Sequence, residues 1–215
     1  MMTERAFVAT TAVLFAALAS AVVLPAPAAQ AQTIIDEWAS VMVPPPPELK
    51  PVTVDPKTTA LLMLDFMTQN CGKRPRCVAS IPAVKKLLDK ARTAKVAVVY
   101  AIITDTTTAD VIKDVAPLAN EPWIRSGADK FINTDLEKML KDKGIQTVIV
   151  TGTASNAAVL FTAAGAAQRG MNAIVPVDAI SGIDAYADLT TAYMLASAPV
   201  ISVKSTLTKI DMIKF

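Results

Sequence analysis

The sequence predicts an α/β fold of three layers, with a mostly parallel central sheet between two layers of helices. Short, continuous apolar runs of strand length recur along the chain, and stretches of helical periodicity separate them. Parallel neighbours connected in this way need right-handed crossovers, which cover both faces of the sheet with helices. At 215 residues, the chain suits one such domain.

A secretory signal peptide is predicted over residues 1–31. Arg5 supplies a positive start, residues 7–24 are almost uninterruptedly apolar, and the AQA triplet at residues 29–31 offers a cleavage site. An uncleaved anchor is the alternative, because about 20 apolar residues cross a bilayer. We expect cleavage before Gln32, export to the periplasm or the medium, and no membrane anchor in the mature chain.

A proline-rich arm over residues 32–58 is expected to precede the domain over residues 59–215. Four consecutive prolines at residues 44–47 favour an extended polyproline conformation rather than a core. At residues 60–64 the pattern changes to a continuous apolar run that ends at Asp65, as expected for a strand buried on both faces.

The remaining elements alternate between helix and strand. Thr134 with Glu137 forms a predicted capping box, Ser155 is a predicted helix cap, and Gly144 and Gly170 are expected to end helices. Helices are predicted over residues 78–94, 134–143, 156–169 and 186–198, and strands over residues 96–103, 146–151, 173–177 and 200–203. In such sheets ligands bind at the carboxyl ends of the strands, which points to Asp65, the segment after Thr151, and Asp178.

Composition excludes several classes of function. The formal net charge of +2 is too small to indicate nucleic acid as the partner. The chain has no histidine, which excludes Ser-His-Asp and Cys-His catalysis, and we expect neither a metal nor a cofactor. Cys71 and Cys77 lie six positions apart, and export favours a local disulfide between them over two free thiols.

Several ordered motifs resemble the isochorismatase-like cysteine hydrolases. They are LLMLD at residues 61–65, SGADKFINTDL at 126–136, GIQTVIVTGTASNAAV at 144–159 and AAQRGMNAIVPVD at 166–178. The resemblance covers residues 59–198 and implies the three-layer isochorismatase-like hydrolase fold. It also implies a small-molecule ligand and a homo-oligomer.

That family usually carries an Asp-Lys-Cys triad, which the resemblance carries over residue by residue. The aspartate falls on Asp65. Counting back from the F-x-x-T-x-L motif puts the lysine position at Arg125, while Lys130 immediately precedes the phenylalanine. The cysteine falls on Ala158, whose methyl group cannot act as a nucleophile.

Without that cysteine, the resemblance assigns acid/base chemistry to Asp65, because isochorismatases proper protonate a vinyl ether and let water complete the cleavage. The alternative is that Asp65 only pairs with Arg125 or Lys130. Lys130 is expected either to shift the pKa of Asp65 and orient a substrate carboxylate, or to be a solvated lysine. Arg125 would serve as an anion clamp.

A substrate-binding segment is predicted at Thr153, Ala154, Ser155 and Asn156. The resemblance gives the first two a backbone turn whose amides can hold an oxyanion. Ser155 is interpreted as a helix cap rather than a nucleophile.

Further residues have both a ligand-binding and a structural interpretation. Phe66 and Trp123 either line the pocket or belong to the core. The loop between the cysteines carries Lys73, Arg74 and Arg76, which either attract an anionic ligand or are solvated.

Two functions follow: an exported, metal-free hydrolase of a small carboxylated or amide-bearing molecule, or a non-catalytic binding or regulatory protein on the same fold.

Overall fold

The computed structural model describes residues 33–215, which fall into two compact units divided between Val43 and Pro44. In the first unit, the described residues form helix α1 (Ile34–Glu37) and a 3₁₀ turn at Trp38–Ser40. The predicted signal peptide lies outside the described residues and stays a prediction. No helix within residues 33–215 has the length and apolar character that a membrane span requires.

The second unit is built on a parallel sheet of six strands in the order β4-β3-β2-β5-β6-β8, with β7 pairing beside β5. The fold class is therefore confirmed. A separate parallel ribbon pairs β1 with β9. The strands are β1 (Val52–Thr53), β2 (Thr59–Leu64), β3 (Ala97–Ile102), β4 (Trp123–Arg125), β5 (Thr147–Thr153), β6 (Asn172–Pro176), β7 (Ile180–Ser181), β8 (Ser205–Thr208) and β9 (Ile213–Lys214).

Four helices complete the layers: α2 (Pro75–Thr93), α3 (Leu136–Asp142), α4 (Leu160–Gln168) and α5 (Ala185–Ser197). Successive side chains of a strand point to opposite faces, so the fully buried β2 serves two hydrophobic clusters. Leu61 and Met63 join the cluster that contains the apolar face of α2. Leu62 and Leu64 join the cluster that contains the buried residues of α3, α4 and α5.

The compact unit begins at Pro44, so the second half of the predicted arm packs on the domain. The backbone amide of Lys50 donates to the carbonyl of Leu207, and that of Val54 donates to the carbonyl of Lys214, each at 2.9 Å. The segment ahead of β2 is therefore held by backbone hydrogen bonds to the C-terminal part of the chain.

The predicted capping box of α3 is wrong. The hydroxyl of Thr134 instead donates to the carbonyl of Lys130 at 2.5 Å and accepts from the amide of Leu136, and Asp135 occupies the cap position. Glu137 forms ion pairs with Lys141 and Arg169. Thr134 thus holds the loop before α3 by local hydrogen bonds other than those of a capping box.

The predicted strand over residues 200–203 is also wrong. This stretch forms turns, Val200 has φ 69°, and Val200 and Val203 are largely exposed. The strand lies a few residues later, at β8, where it pairs with β6. Gly144, by contrast, ends α3 with φ 66°, as predicted.

Candidate active site

Asp65 follows directly on β2, which lies between β3 and β5 in the sheet. Its backbone adopts φ 60°, a conformation that aspartate tolerates better than most residues, and its amide donates to the carbonyl of Ala101 at 3.0 Å. The residue is only 4% exposed. A carboxyl group is therefore buried at the centre of the carboxyl edge of the sheet.

Lys130 comes from the loop before α3 and is completely buried. Its ammonium donates to both carboxylate oxygens of Asp65, to Oδ1 at 2.9 Å and to Oδ2 at 2.7 Å, and to the carbonyl of Gly127 at 2.8 Å. These three acceptors match the three N–H donors of an ammonium group. The structure thus brings together two of the residues predicted for the site.

Burial raises the pKa of the Asp65 carboxyl above its ordinary value of 3.8. The charge and hydrogen bonds of Lys130 act in the opposite direction, as does the charge of Arg74, but burial outweighs them. Asp65 therefore takes up a proton more readily than an exposed aspartate, despite the ammonium against it.

The segment after β5 contains the other predicted site residues. The peptide bond between Thr153 and Ala154 is cis, and Ser155–Val159 forms one π-helical turn that continues into α4. Ala154, rather than the predicted Ser155, occupies the cap position. The Ser155 hydroxyl is buried without a hydrogen-bond partner among the described residues. Ala158, in this same turn, is 3% exposed.

Gly152 is a site residue that the sequence analysis missed. It pairs with Leu64 in the register of β2 and β5 and has φ 138°. A Cβ atom at position 152 would collide with the backbone of Leu64. Only glycine therefore lets the end of β5 approach the end of β2, next to Asp65.

Cys71 and Cys77 form a disulfide, as predicted, and both are fully buried. We call residues 71–77 the disulfide loop. From this loop, Nη1 of Arg74 donates to the Thr153 hydroxyl at 3.2 Å, and that hydroxyl donates to the carbonyl of Ser181 at 2.9 Å. The disulfide loop is thereby fastened to the end of β5.

A cavity of about 290 Å³, here the loop cavity, lies between the disulfide loop and the start of the π-helical turn. Arg76, in its wall, forms an ion pair with Asp188 of α5, and Asp188 also accepts from the amide of Gly182 at 2.5 Å. The lining residues are Lys73, Arg74, Pro75, Arg76, Ala154, Asn156, Gly182 and Ile183.

The structure places three predicted site residues outside the hydrogen bonds of the Asp65 carboxylate within residues 33–215. Arg125 lies on the edge strand β4, donates to the carbonyl of Thr106 at 2.7 Å and stacks 5.4 Å from the centre of the Trp123 ring. Trp123 is 43% exposed, and Phe66 lies in the hydrophobic cluster under α2. The cation in contact with Asp65 is thus Lys130 rather than Arg125. Within residues 33–215 no group of three or more metal-ligating side chains is found.

Comparison with known proteins agrees with this architecture. The isochorismatase domain matches residues 59–205. A nicotinamidase of Acinetobacter baylyi is 40% identical over 72 residues, which span 33% of this chain and 34% of that protein. The secreted isochorismatase effector Isc1 of Verticillium dahliae is 24% identical over 148 residues, 62% of this chain and 78% of the effector.

Solved structures share the fold at lower sequence identity. A cysteine hydrolase from Pseudomonas syringae pv. phaseolicola superposes with a TM-score of 0.65 at 20% identity, over 79% of this chain and 95% of the hydrolase. N-carbamoylsarcosine amidase from Thermoplasma acidophilum gives 0.61 at 22% identity, over 72% of this chain and 97% of the amidase. At these identities the likeness concerns the fold.

Proposed function

The chain belongs to the isochorismatase family, a family of hydrolases, and we propose that it is an exported hydrolase that works without a cysteine nucleophile. Its substrate is a small carboxylated or amide-bearing molecule. Asp65 supplies the acid/base chemistry, and water is the nucleophile. Ala158 stands at the family's cysteine position, so no acyl-enzyme forms there.

The pairing of Asp65 with Lys130 carries this proposal. A buried ion pair is costly unless its hydrogen bonds are complete, and here the ammonium finds three acceptors. Burial nevertheless raises the pKa of Asp65, which favours a carboxyl group that can hold a proton and deliver it. A purely structural pair needs no such protonation.

The chemistry follows from the groups around this carboxyl. Protonated Asp65 donates its proton to the leaving atom of the substrate as the bond to that atom breaks, and Lys130 stabilises the carboxylate that remains. Water then adds to the electron-poor centre and returns a proton to the Asp65 carboxylate. The amides of Ser155 and Asn156, in the first turn of a helix, have no acceptors within that helix and are available to an oxyanion.

A turnover screen of vinyl ethers, amides and esters with the wild type and Asp65→Asn tests this role. We expect the substitution to lower kcat/KM by about two to four orders of magnitude, the range for loss of a general acid. The control is Glu121→Gln, which alters a half-buried ion pair outside the candidate site. Equal turnover by wild type and Asp65→Asn would remove Asp65 from the mechanism.

Export is part of the proposal. The N-terminal apolar run, the buried disulfide and the similarity to a secreted effector support it. Mass spectrometry of the chain after secretion should find a mature N-terminus near Gln32. Recovery of the intact chain from the cell interior, with reduced cysteines, would contradict export.

A homo-oligomer is proposed as well. Phe161 of α4 and Tyr193 and Met194 of α5 are exposed apolar side chains that a second copy could cover. Light scattering coupled to size-exclusion chromatography should give a mass above the 22.7 kDa of a single chain. A monomer at micromolar concentration would contradict the proposal.

One observation favours a second candidate, a non-catalytic binding protein. Ala158 offers only a methyl group, and Lys130 occupies both oxygens of Asp65.

Ala158→Cys separates the two candidate functions, because a helix start and a nearby cation lower the pKa of a thiol and make it reactive. Gain of thiol reactivity and ester hydrolysis indicates an intact hydrolase site. Ligand-dependent melting shifts without turnover in either form favour the binding protein.

A further inference from the structure

We infer that Arg74 selects the substrate by binding its carboxylate in the loop cavity. The inference rests on the proposed function, which puts the reacting bond of the substrate next to Asp65. It narrows the proposed substrates to carboxylates. Arg74 is a specificity-determining residue in this account, distinct from the acid at Asp65 and from the Lys130 ammonium that pairs with it.

The charges around the loop cavity favour an anion. Three of its lining residues are cations (Lys73, Arg74 and Arg76), and none is acidic. The charge of Arg76 is matched by Asp188. The cavity therefore presents a net positive wall to a small ligand.

Arg74 differs from the other arginines of residues 33–215. Arg76, Arg92 and Arg169 each pair with a carboxylate, and Arg125 stacks on Trp123. Within the same residues, no carboxylate lies within ion-pairing distance of Arg74.

The guanidinium of Arg74 retains donors for a ligand. Its side-chain hydrogen bond within residues 33–215 runs from Nη1 to the neutral hydroxyl of Thr153. A guanidinium has five N–H donors in a planar fork that matches a carboxylate, so most of them are available.

The backbone holds Arg74 in place. The residue precedes α2, its amide donates to the carbonyl of Cys71 at 2.9 Å, and its own carbonyl accepts from the amide of Val78 at 3.0 Å. The disulfide between Cys71 and Cys77 closes the loop around it. A cation fixed before the ligand arrives binds with less loss of conformational entropy.

The position of Arg74 connects the loop cavity to the proposed chemistry. Its partner Thr153 ends β5. Of the lining residues, Ala154 caps the turn that carries Ala158, and Asn156 belongs to that turn. Because Lys130 already pairs with Asp65, Arg74 is left for a second anion. A substrate anchored by its carboxylate at Arg74 would extend toward the helix start and Asp65.

The loop cavity suits a ligand of about the size of benzoate, because drug-sized pockets begin at about 300 Å³. Benzoate and its neutral isostere benzamide therefore form a matched pair of probes. Titration calorimetry on the folded, oxidised chain should show benzoate binding at least about tenfold more tightly than benzamide, because charge-assisted bidentate hydrogen bonds are stronger than neutral ones.

Arg74→Met should remove this preference, so that benzoate binds no better than benzamide. Lys113→Met is the control, since it removes the same charge from an exposed position outside the loop cavity, and it should change benzoate affinity less than about threefold. Arg74→Lys keeps the positive charge but lacks the planar guanidinium, so it should give an intermediate preference for benzoate. It replaces Arg74→Met if that variant fails to fold.

Two results would overturn the inference: equal binding of benzoate and benzamide by the wild type, or an unchanged preference after Arg74 is replaced. Asp65→Asn should still prefer benzoate, because it leaves the loop cavity intact. The inference on Arg74 and the proposal for Asp65 therefore fail separately, the first by binding and the second by turnover.

Discussion

Two ion pairs of the domain, one half-buried and one buried, differ in their surroundings. Arg92, near the end of α2, holds Glu121 by two hydrogen bonds at 2.8 and 2.7 Å, and it also donates to the Tyr100 hydroxyl and the carbonyl of Ala116. Lys130 holds Asp65 by two bonds of similar length. The contacts are alike, but the burial is not: the Arg92 side chain is 22% exposed and that of Lys130 is 1% exposed.

The hydrogen bond to Glu121 raises the pKa of Arg92, so the guanidinium stays charged. At Asp65 burial raises the pKa of the carboxyl against the pull of Lys130. The half-buried pair is thus built on a cation whose charge its partner stabilises, whereas burial of the second pair favours the protonated carboxyl. This difference points to Asp65 as the functional group.

Loss of the lysine should give the largest change in stability. Lys130→Met leaves the Asp65 carboxylate buried without a partner, which costs about 3–5 kcal/mol of unfolding free energy near neutral pH. Arg92→Met should cost less, because the Arg92 side chain is 22% exposed and Lys130 is buried. Urea unfolding of both variants measures the comparison.

The sign of the pH dependence follows from the Asp65 pKa. Because its folded value is raised, the stability that Asp65 contributes is fully present below pH 3.8 and is lost as pH rises through the folded value. The deficit of Lys130→Met should therefore be smaller at pH 4 than at pH 8. A deficit independent of pH would mean that Asp65 does not take up a proton in the variant.

Reduction of the disulfide should have the next largest effect. A loop this short is expected to contribute about 2 kcal/mol, through the restricted unfolded chain. Cys71→Ser combined with Cys77→Ser should lose that amount and also the preference for benzoate, because Arg74 is no longer held. The Tyr100 amide serves as a reference position. Its protection against hydrogen exchange, corrected for the loss of global stability, should not change. If the variant still prefers benzoate over benzamide, the disulfide does not position Arg74.

A smaller effect is expected on the pH profile of turnover. If protonated Asp65 is the acid, kcat/KM falls as pH rises through its pKa, which lies above 3.8. Because the charge of Arg74 lowers that pKa, Arg74→Met should move the midpoint to higher pH. Glu121→Gln should leave the midpoint unchanged. A shift in the opposite direction would exclude the acid role.

The smallest effect should come from an exposed pair. Lys138 and Asp142 form an i,i+4 pair at the surface of α3, where water screens both charges. Lys138→Met should leave the melting temperature within about 1 °C of the wild type. A shift comparable to that of Lys130→Met would show that burial does not distinguish the pairs.

The sequence predicted the elements whose patterns are local. Apolar runs identified β2, β3, β5 and β6, and the strand end identified Asp65. The run at residues 200–203 misled because apolar residues without periodicity do not define a strand, and the strand pairing formed at β8 instead. Cap predictions failed at Thr134 and Ser155 because each helix begins one residue away from the predicted cap, so that Asp135 and Ala154 take the cap positions.

Contacts distant in sequence could not be predicted. Counting along a motif favoured Arg125 and left Lys130 open, and only the folded loop before α3 shows which cation reaches Asp65. Gly152 carried a weak signal, as a glycine within an apolar strand run marks a close backbone approach. The bond between Arg74 and Thr153 joins residues 79 positions apart and has no signature in the sequence.

Carbon-13 NMR titration of the Asp65 carboxyl, assigned by its loss in Asp65→Asn, tests directly whether this group can hold a proton in the folded protein. We predict a midpoint clearly above 3.8 in the folded protein, because burial there outweighs the pull of Lys130 and Arg74. A midpoint at or below 3.8 would contradict it. Asp65 would then be a charged partner of Lys130, with no proton to give a substrate.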